Sequence, residues 1–256
     1  SKLIIVTFVD DLLVIHNDDK LFRRFVTHLK RQFEITDEGE LEWYLGVRYE
    51  KSEDGLHLKA SQTAYIERIA ASFRNEVWHA IKTPMEEGFS VGPDDICADP
   101  DPSLVSDYCS LLGSELFVAC WSRPDSSLPV TKLARYSTCC TPKLYAALKR
   151  VLRFLITSKD RGITWTSVDA EIEAGGHKKN ELYCYVDAAY ADDPITRKST
   201  MGYVMMLNGG AISWRSKRQP IVGLSTAEAE YVAACYSAQE VVALRTLLER
   251  LGFHQD

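Results

Sequence analysis

Leu3-Ile4-Ile5-Val6-Thr7-Phe8-Val9-Asp10-Asp11-Leu12-Leu13-Val14-Ile15 is an apolar, β-branched run broken by two adjacent aspartates. Apolar runs of this kind read as strands and the break as the turn between them, so the stretch predicts a hairpin with acid at its tip. Carboxylates beside apolar strands are costly unless something offsets their charge. A divalent cation does so, because two-metal phosphoryl transfer needs carboxylates that hold ions roughly 4 Å apart. Successive strand residues face opposite ways, which favours Asp10 over Asp11 as the direct ligand. A solvated Asp-rich turn is the other reading, and for a bare Asp-Asp pair it is the commoner one.

Beyond the hairpin, Leu21, Phe25, Leu29 and Phe33 recur at helical spacing, with Asp18 or Asp19 able to cap the start. Glu42 to Tyr49 alternates as one strand, Asp54-Gly55 marks a turn, and Leu56-His57-Leu58 is the return strand. A helix is expected from Ser61, as its cap, with Tyr65, Ile66, Ile69 and Phe73 facing inward. Between Thr83 and Pro102 the composition turns to Pro, Gly and Asp and periodicity vanishes, which marks a boundary. Two helices follow, Leu104 to Ser122 and Lys143 to Thr157, separated by a Pro-containing segment. The second carries Lys149, Arg150 and Arg153 away from its apolar face, either as a phosphate-binding stripe or as an ordinary solvated surface.

After Gly162 the texture becomes strands: Gly162 to Thr166, Leu182 to Tyr190, Met201 to Leu207 and Ala211 to Arg215, with Asn208-Gly209 as a hairpin turn. A long helix is expected from Ser225 to Leu251, closed by Gly252. Asp187 lies inside the apolar run Leu182-Tyr183-Cys184-Tyr185-Val186, where an unpaired charge is out of place. Glu228, early in the long helix, is spaced so that both acids can meet at one end of a sheet. A hydrogen-bonded Asp187 and a solvent-facing Glu228 are the alternatives. Arg215, Lys217 and Arg218 form a basic cluster nearby, suited to gripping a nucleic-acid backbone or equally to a solvated strand end.

The chain has 256 residues, 46% of them apolar, and a net charge of −6, so any contact with a polyanion must be local and not spread over the surface. The cysteines at 97, 109, 120, 139, 140, 184 and 235 show no C-x-x-C pair and no paired histidines, and the expectation is reduced, mostly buried thiols in an intracellular protein, cytoplasmic or nuclear. The apolar run from Leu3 to Val9 is too short for a membrane span or a signal peptide.

Phe8-Val9-Asp10-Asp11 resembles the Y-V-D-D motif of reverse transcriptases, with Phe at the tyrosine position. An ordered set of strings is similar to the copia-type retrotransposon branch: Phe33-Glu34-Ile35, Gly39-Glu40-Leu41, Trp43-Tyr44-Leu45-Gly46-Val47, Lys82-Thr83-Pro84-Met85, Arg123-Pro124-Asp125 and Lys149-Arg150-Val151-Leu152-Arg153-Phe154-Leu155. Further strings resemble the start of a copia-type ribonuclease H, among them Asp187-Ala188-Ala189-Tyr190-Ala191-Asp192, Arg197-Lys198-Ser199-Thr200 and Ser225-Thr226-Ala227-Glu228. The resemblance implies Asp10 and Asp11 in a polymerase site, Asp187 and Glu228 in a hybrid-cleaving site, Mg²⁺ at each, and Tyr44 and Gly46 in the hairpin that steadies the primer end. Primer-template or RNA–DNA hybrid is the implied partner in the parent polyprotein.

The expected fold is α+β: partial palm and thumb-like segment over 1–83, linker over 84–102, helical connection over 103–160, and a truncated ribonuclease H-like sheet with its long helix over 161–256. Family polymerases take a further aspartate from an earlier strand and family ribonucleases H a third acid from a later one, so each metal site is expected to be partial and the isolated chain inactive. A domesticated or remnant module that binds a protein partner is the alternative.

Overall fold

The computed structural model describes residues 1–72 and 79–255. Phe73, expected on a helix face, lies outside them. The chain divides after Tyr49 into two compact units, Ser1–Tyr49 and Glu50–Asp256.

In the first unit, β1 (Leu3–Phe8) and β2 (Asp11–His16) pair antiparallel from Leu3↔His16 to Phe8↔Asp11. Helix α1 (Asp19–Gln32) follows, and Asp18 caps it by accepting from the Lys20 and Leu21 N–H groups at 2.9 and 3.1 Å. The expected single strand from Glu42 to Tyr49 is instead β3 (Trp43–Tyr44) turning into β4 (Val47–Lys51), whose last two residues belong to the second unit. Leu45 and Gly46 both take positive φ, 51° and 78°, which suits a two-residue hairpin, and Tyr44 pairs with Val47 across it. Alternation alone cannot distinguish one strand from two joined by so tight a turn.

In the second unit, β5 (His57–Ser61) leads into α2 (Thr63–Ser72). Ser61 therefore ends a strand and does not cap the helix as expected. Helix α3 (Pro102–Trp121), α4 (Ser127–Ala134) and α5 (Pro142–Thr157) join α2 around one core that buries Ile66, Ile69, Leu111, Val130, Leu133, Leu148 and Leu152. Each such side chain contributes roughly 1.5–3 kcal/mol by leaving water. The segment before α3 packs on this core through Met85, Phe89 and the buried Val91. Helix α4 was not expected; Pro129 sits in its first turn, where a missing N–H costs nothing.

Arg123 closes the turn between α3 and α4. It is 1% exposed, forks onto Asp125 with two 2.8 Å bonds, and donates to the carbonyl and hydroxyl of Ser158 at the end of α5. The Arg123-Pro124-Asp125 string is thus a structural clasp.

Strand β6 (Gly162–Thr166) pairs antiparallel with β5, Ser61 opposite Gly162. A Cβ at Gly162 would lie 2.2 Å from the Ala60 carbonyl oxygen, so only glycine permits this approach. After the short α6 (Asp169–Ala174), β7 (Tyr183–Ala189), β8 (Thr200–Leu207) and β9 (Gly210–Arg218) form a separate antiparallel sheet in that order, and α7 (Thr226–Leu251) packs on β7 and β8. Asn208 and Gly209 make the β8–β9 turn at φ 49° and 79°, and Gly252 ends α7 at φ 87°. Trp214 donates its indole N–H to the Ala119 carbonyl at 2.7 Å, tying β9 to α3. The architecture is mixed α and β. No helix among the described residues is long and apolar enough to cross a membrane.

Candidate metal centres and nucleic-acid contacts

The first hairpin places Asp10 in its two-residue turn and Asp11 at the head of β2, opposite Phe8. Both are exposed. Strand alternation therefore does not separate them, because Asp10 belongs to the turn. Val9, just before, holds φ 51°, a left-handed conformation that strains a β-branched residue by about 1–3 kcal/mol. In the neighbouring hairpin, Gly46 is exposed at the tip while the Tyr44 hydroxyl is buried without a hydrogen-bond partner.

Asp187 is exposed on β7, opposite Gly202, and its Oδ1 accepts from the Ala188 N–H at 2.8 Å. Glu228 is the third residue of α7. Its N–H donates to Ser225 Oγ at 3.1 Å and its Oε2 accepts from the Leu224 N–H at 2.7 Å, so its carboxylate helps to cap the helix. Among the described residues, no three His, Cys, Asp or Glu side chains are grouped to hold a metal ion.

The basic residues divide. On α5, Lys149 Nζ lies 4.5 Å from the Tyr145 ring centroid, Arg150 reaches Glu86 at 3.2 Å and Thr83 at 3.1 Å, and Arg153 is half-buried. On β9 the pleat separates the cluster: Arg215 and Lys217 share one face and are exposed, whereas Arg218 points the other way and donates to Asp193 Oδ2 at 2.7 Å.

Several features escaped sequence reasoning. Asp193 is 1% exposed and accepts from the Ile195 and Thr196 N–H groups as well as Arg218, with Arg135 at 3.7 Å. Burial pushes its carboxyl up, but Arg218 and the Thr196 N–H outweigh it and hold the group below its ordinary range. Next to it, Asp192 accepts from Thr200 at 3.0 Å and from Lys132 of α4 at 3.4 Å. Glu115 lies fully buried in α3, and burial raises its carboxyl well above the usual range, opposed only by the Leu152 backbone. The sole signal was a glutamate inside Leu111-Leu112-Gly113-Ser114-Glu115-Leu116-Phe117-Val118. The seven cysteines are free thiols, but Cys140 alone is buried and Cys109, Cys120 and Cys235 are exposed, which corrects the expectation of mostly buried thiols.

The family described as reverse transcriptase (RNA-dependent DNA polymerase) matches residues 1–87. The retrovirus-related Pol polyprotein from transposon TNT 1-94 of Nicotiana tabacum is 31% identical over 99% of this chain, and that from transposon RE2 of Arabidopsis thaliana is 31% identical over 98%. The chain spans only 18% and 16% of their lengths. Secreted RxLR effector protein 161 of Plasmopara viticola is 38% identical over 56% of this chain, which covers 94% of that protein. No solved structure matches. The Asp10-Asp11 hairpin lies inside the residues matched by the reverse-transcriptase family, and over nearly its whole length the chain is similar to the copia-type, retrovirus-related Pol polyproteins of transposons.

Proposed function

We infer that this chain contributes to two-metal phosphoryl transfer in a retrotransposon RNA-directed DNA polymerase, with a ribonuclease H-like part over β7, β8, β9 and α7. The observation that carries it is the strained hairpin tip, which holds Asp10 and Asp11 exposed inside the stretch matched by the reverse-transcriptase family. Mg²⁺ takes oxygen ligands, often one or two carboxylates completed by waters and substrate phosphates, so a pair of exposed acids fits it. Bound there, the ion would neutralise phosphate charge and activate the attacking oxygen. Asp10 and Asp11 hold it, Val9 fixes the turn, and Tyr44 and Gly46 steady the primer end. Asp187 and Glu228 would have the parallel role towards the RNA strand of a hybrid. A two-metal site needs more carboxylate than either pair supplies, so the reading is that the isolated chain does not turn over.

The test is Mn²⁺ titration of the full chain by paramagnetic broadening, alongside primer extension and hybrid cleavage. Broadening centred on residues 8–12 and reduced at least tenfold by Asp10→Asn is expected, with no turnover. Broadening unaffected by Asp10→Asn would remove the polymerase assignment.

A second reading has its own support: relatives of which the chain covers 94% and 92% are separate short proteins, the second named uncharacterized mitochondrial protein AtMg00810. Segments of this size thus occur outside a polyprotein, which favours a module that binds a protein partner without catalysis. Saturable, metal-independent binding to such a partner, with hairpin acids dispensable, would distinguish it.

A further inference from the structure

The register of β8 and β9 sets Met201 opposite Lys217, Tyr203 opposite Arg215 and Met205 opposite Ser213, and directly paired residues share a face. Tyr236, Gln239 and Glu240, at helical i, i+3, i+4 spacing on α7, close over this face around a cavity of about 130 Å³ lined by Met201, Tyr203, Arg215 and Lys217. Lys217 Nζ lies 5.8 Å from the Tyr236 ring centroid. Glu240 is the one acid in the lining, and its Oε1 accepts from Ser213 Oγ at 2.7 Å.

Two cations against one carboxylate leave the cavity with an excess of positive charge in a chain whose net charge is −6. Its other polar groups, two phenols and an amide, are able to donate. Guanidinium and ammonium groups converging with neutral donors suit a tetrahedral oxyanion. Pockets for drug-sized ligands run from about 300 to 1,000 Å³, so this one is too small for a nucleoside and of the right order for a single phosphate group.

We propose that the cavity between β8, β9 and α7 is a phosphate-binding site in which Arg215 and Lys217 hold the anion and Tyr203, Tyr236 and Gln239 orient it. Arg218 takes no part, since the pleat sends it to Asp193 on the opposite face. Glu240 weakens the site and keeps it selective for ligands with enough negative charge to outweigh it. The phosphate is either a backbone phosphodiester of a nucleic acid or free inorganic phosphate. The proposal stands on this face alone and needs no cation, so its test runs in EDTA, where failure is separate from failure of the two-metal assignment.

The full chain is titrated with inorganic phosphate and with a short RNA–DNA hybrid, following the Arg215 side-chain and Tyr236 ring resonances by NMR. Arg215→Gln combined with Lys217→Gln should weaken binding about tenfold or more, and Glu240→Gln, which keeps an acceptor for Ser213 but removes the charge, should tighten it about threefold. A purely packing role would give no such opposite signs. Phosphate displacing the hybrid identifies a phosphodiester as occupant, whereas phosphate saturating the site without affecting hybrid binding identifies the free ion. Resonances that respond to neither ligand overturn the proposal. If the double variant does not fold, an affinity unchanged in Glu240→Gln overturns it equally.

Discussion

Glu115 is the residue whose chemistry departs furthest from its sequence appearance. A carboxyl raised by burial binds its proton more tightly in the folded chain than in the unfolded one, so the stability it carries is whole below its ordinary value of 4.5 and is lost as pH rises through the higher folded value. The wild-type chain should therefore lose stability as pH rises above the carboxyl's ordinary value of 4.5, and Glu115→Gln should flatten that slope and gain on the order of 1 kcal/mol at the alkaline end. Urea unfolding of both chains across this range measures it, and parallel curves would refute it. Asp10 and Asp11 were legible as an acid tip from composition alone, because apolar strands leave few other places for paired charge. That Asp10 sits in the turn was not legible, since it depends on Val9 accepting a positive φ that β-branched residues normally avoid.

Strands and helices were recovered where their period ran unbroken, as in β6, β8 and α7, and were lost where a neighbour supplied the stabilisation. The six residues of α6 carry no apolar stripe and bury only Ile172, and α4 is held by the bundle around it despite Pro129. Alternation along β9 could have divided Arg215 and Lys217 from Arg218, but nothing local announced the partner that makes the division matter, Asp193 on the connection from β7 to β8. There, α4, its cap residue Arg135 and the end of β9 converge on two adjacent acids, so the connection is clamped to the helices through charge. Removing one member of a buried pair strands the others, and Asp193→Asn should destabilise by about 3 kcal/mol. Because folding lowers this carboxyl, the contribution is present above its ordinary value of 3.8 and disappears as pH falls through the lower folded value. The variant should thus have a shallower acid limb below about pH 4 in thermal melts, and a loss under about 0.5 kcal/mol would show the clamp to be dispensable.

Taken together, the chain concentrates its apolar burial in one of its two units. The helical core lies entirely among residues of the second, whereas in the first α1 has no buried residue and Ile5, Val6, Phe8, Leu12 and Ile15 are exposed on the hairpin. Exposed apolar strands and a helix whose apolar face, Leu21, Phe22, Phe25, Val26 and Leu29, is only half-buried cannot offset the ordering entropy of some fifty residues, which amounts to roughly 1–2 kcal/mol per residue for the backbone alone. The second unit has the size of an ordinary independent domain. A chain of residues 50–256 should therefore unfold in one cooperative transition within about 5 °C of the full chain, since a shift of that size corresponds to only about 1–2 kcal/mol at this length. Residues 1–49 alone should have the circular dichroism of an unfolded peptide. A melt of the shorter chain that is broad or lowered by more than about 10 °C would mean that the first unit supplies part of the stability its own exposed surface conceals.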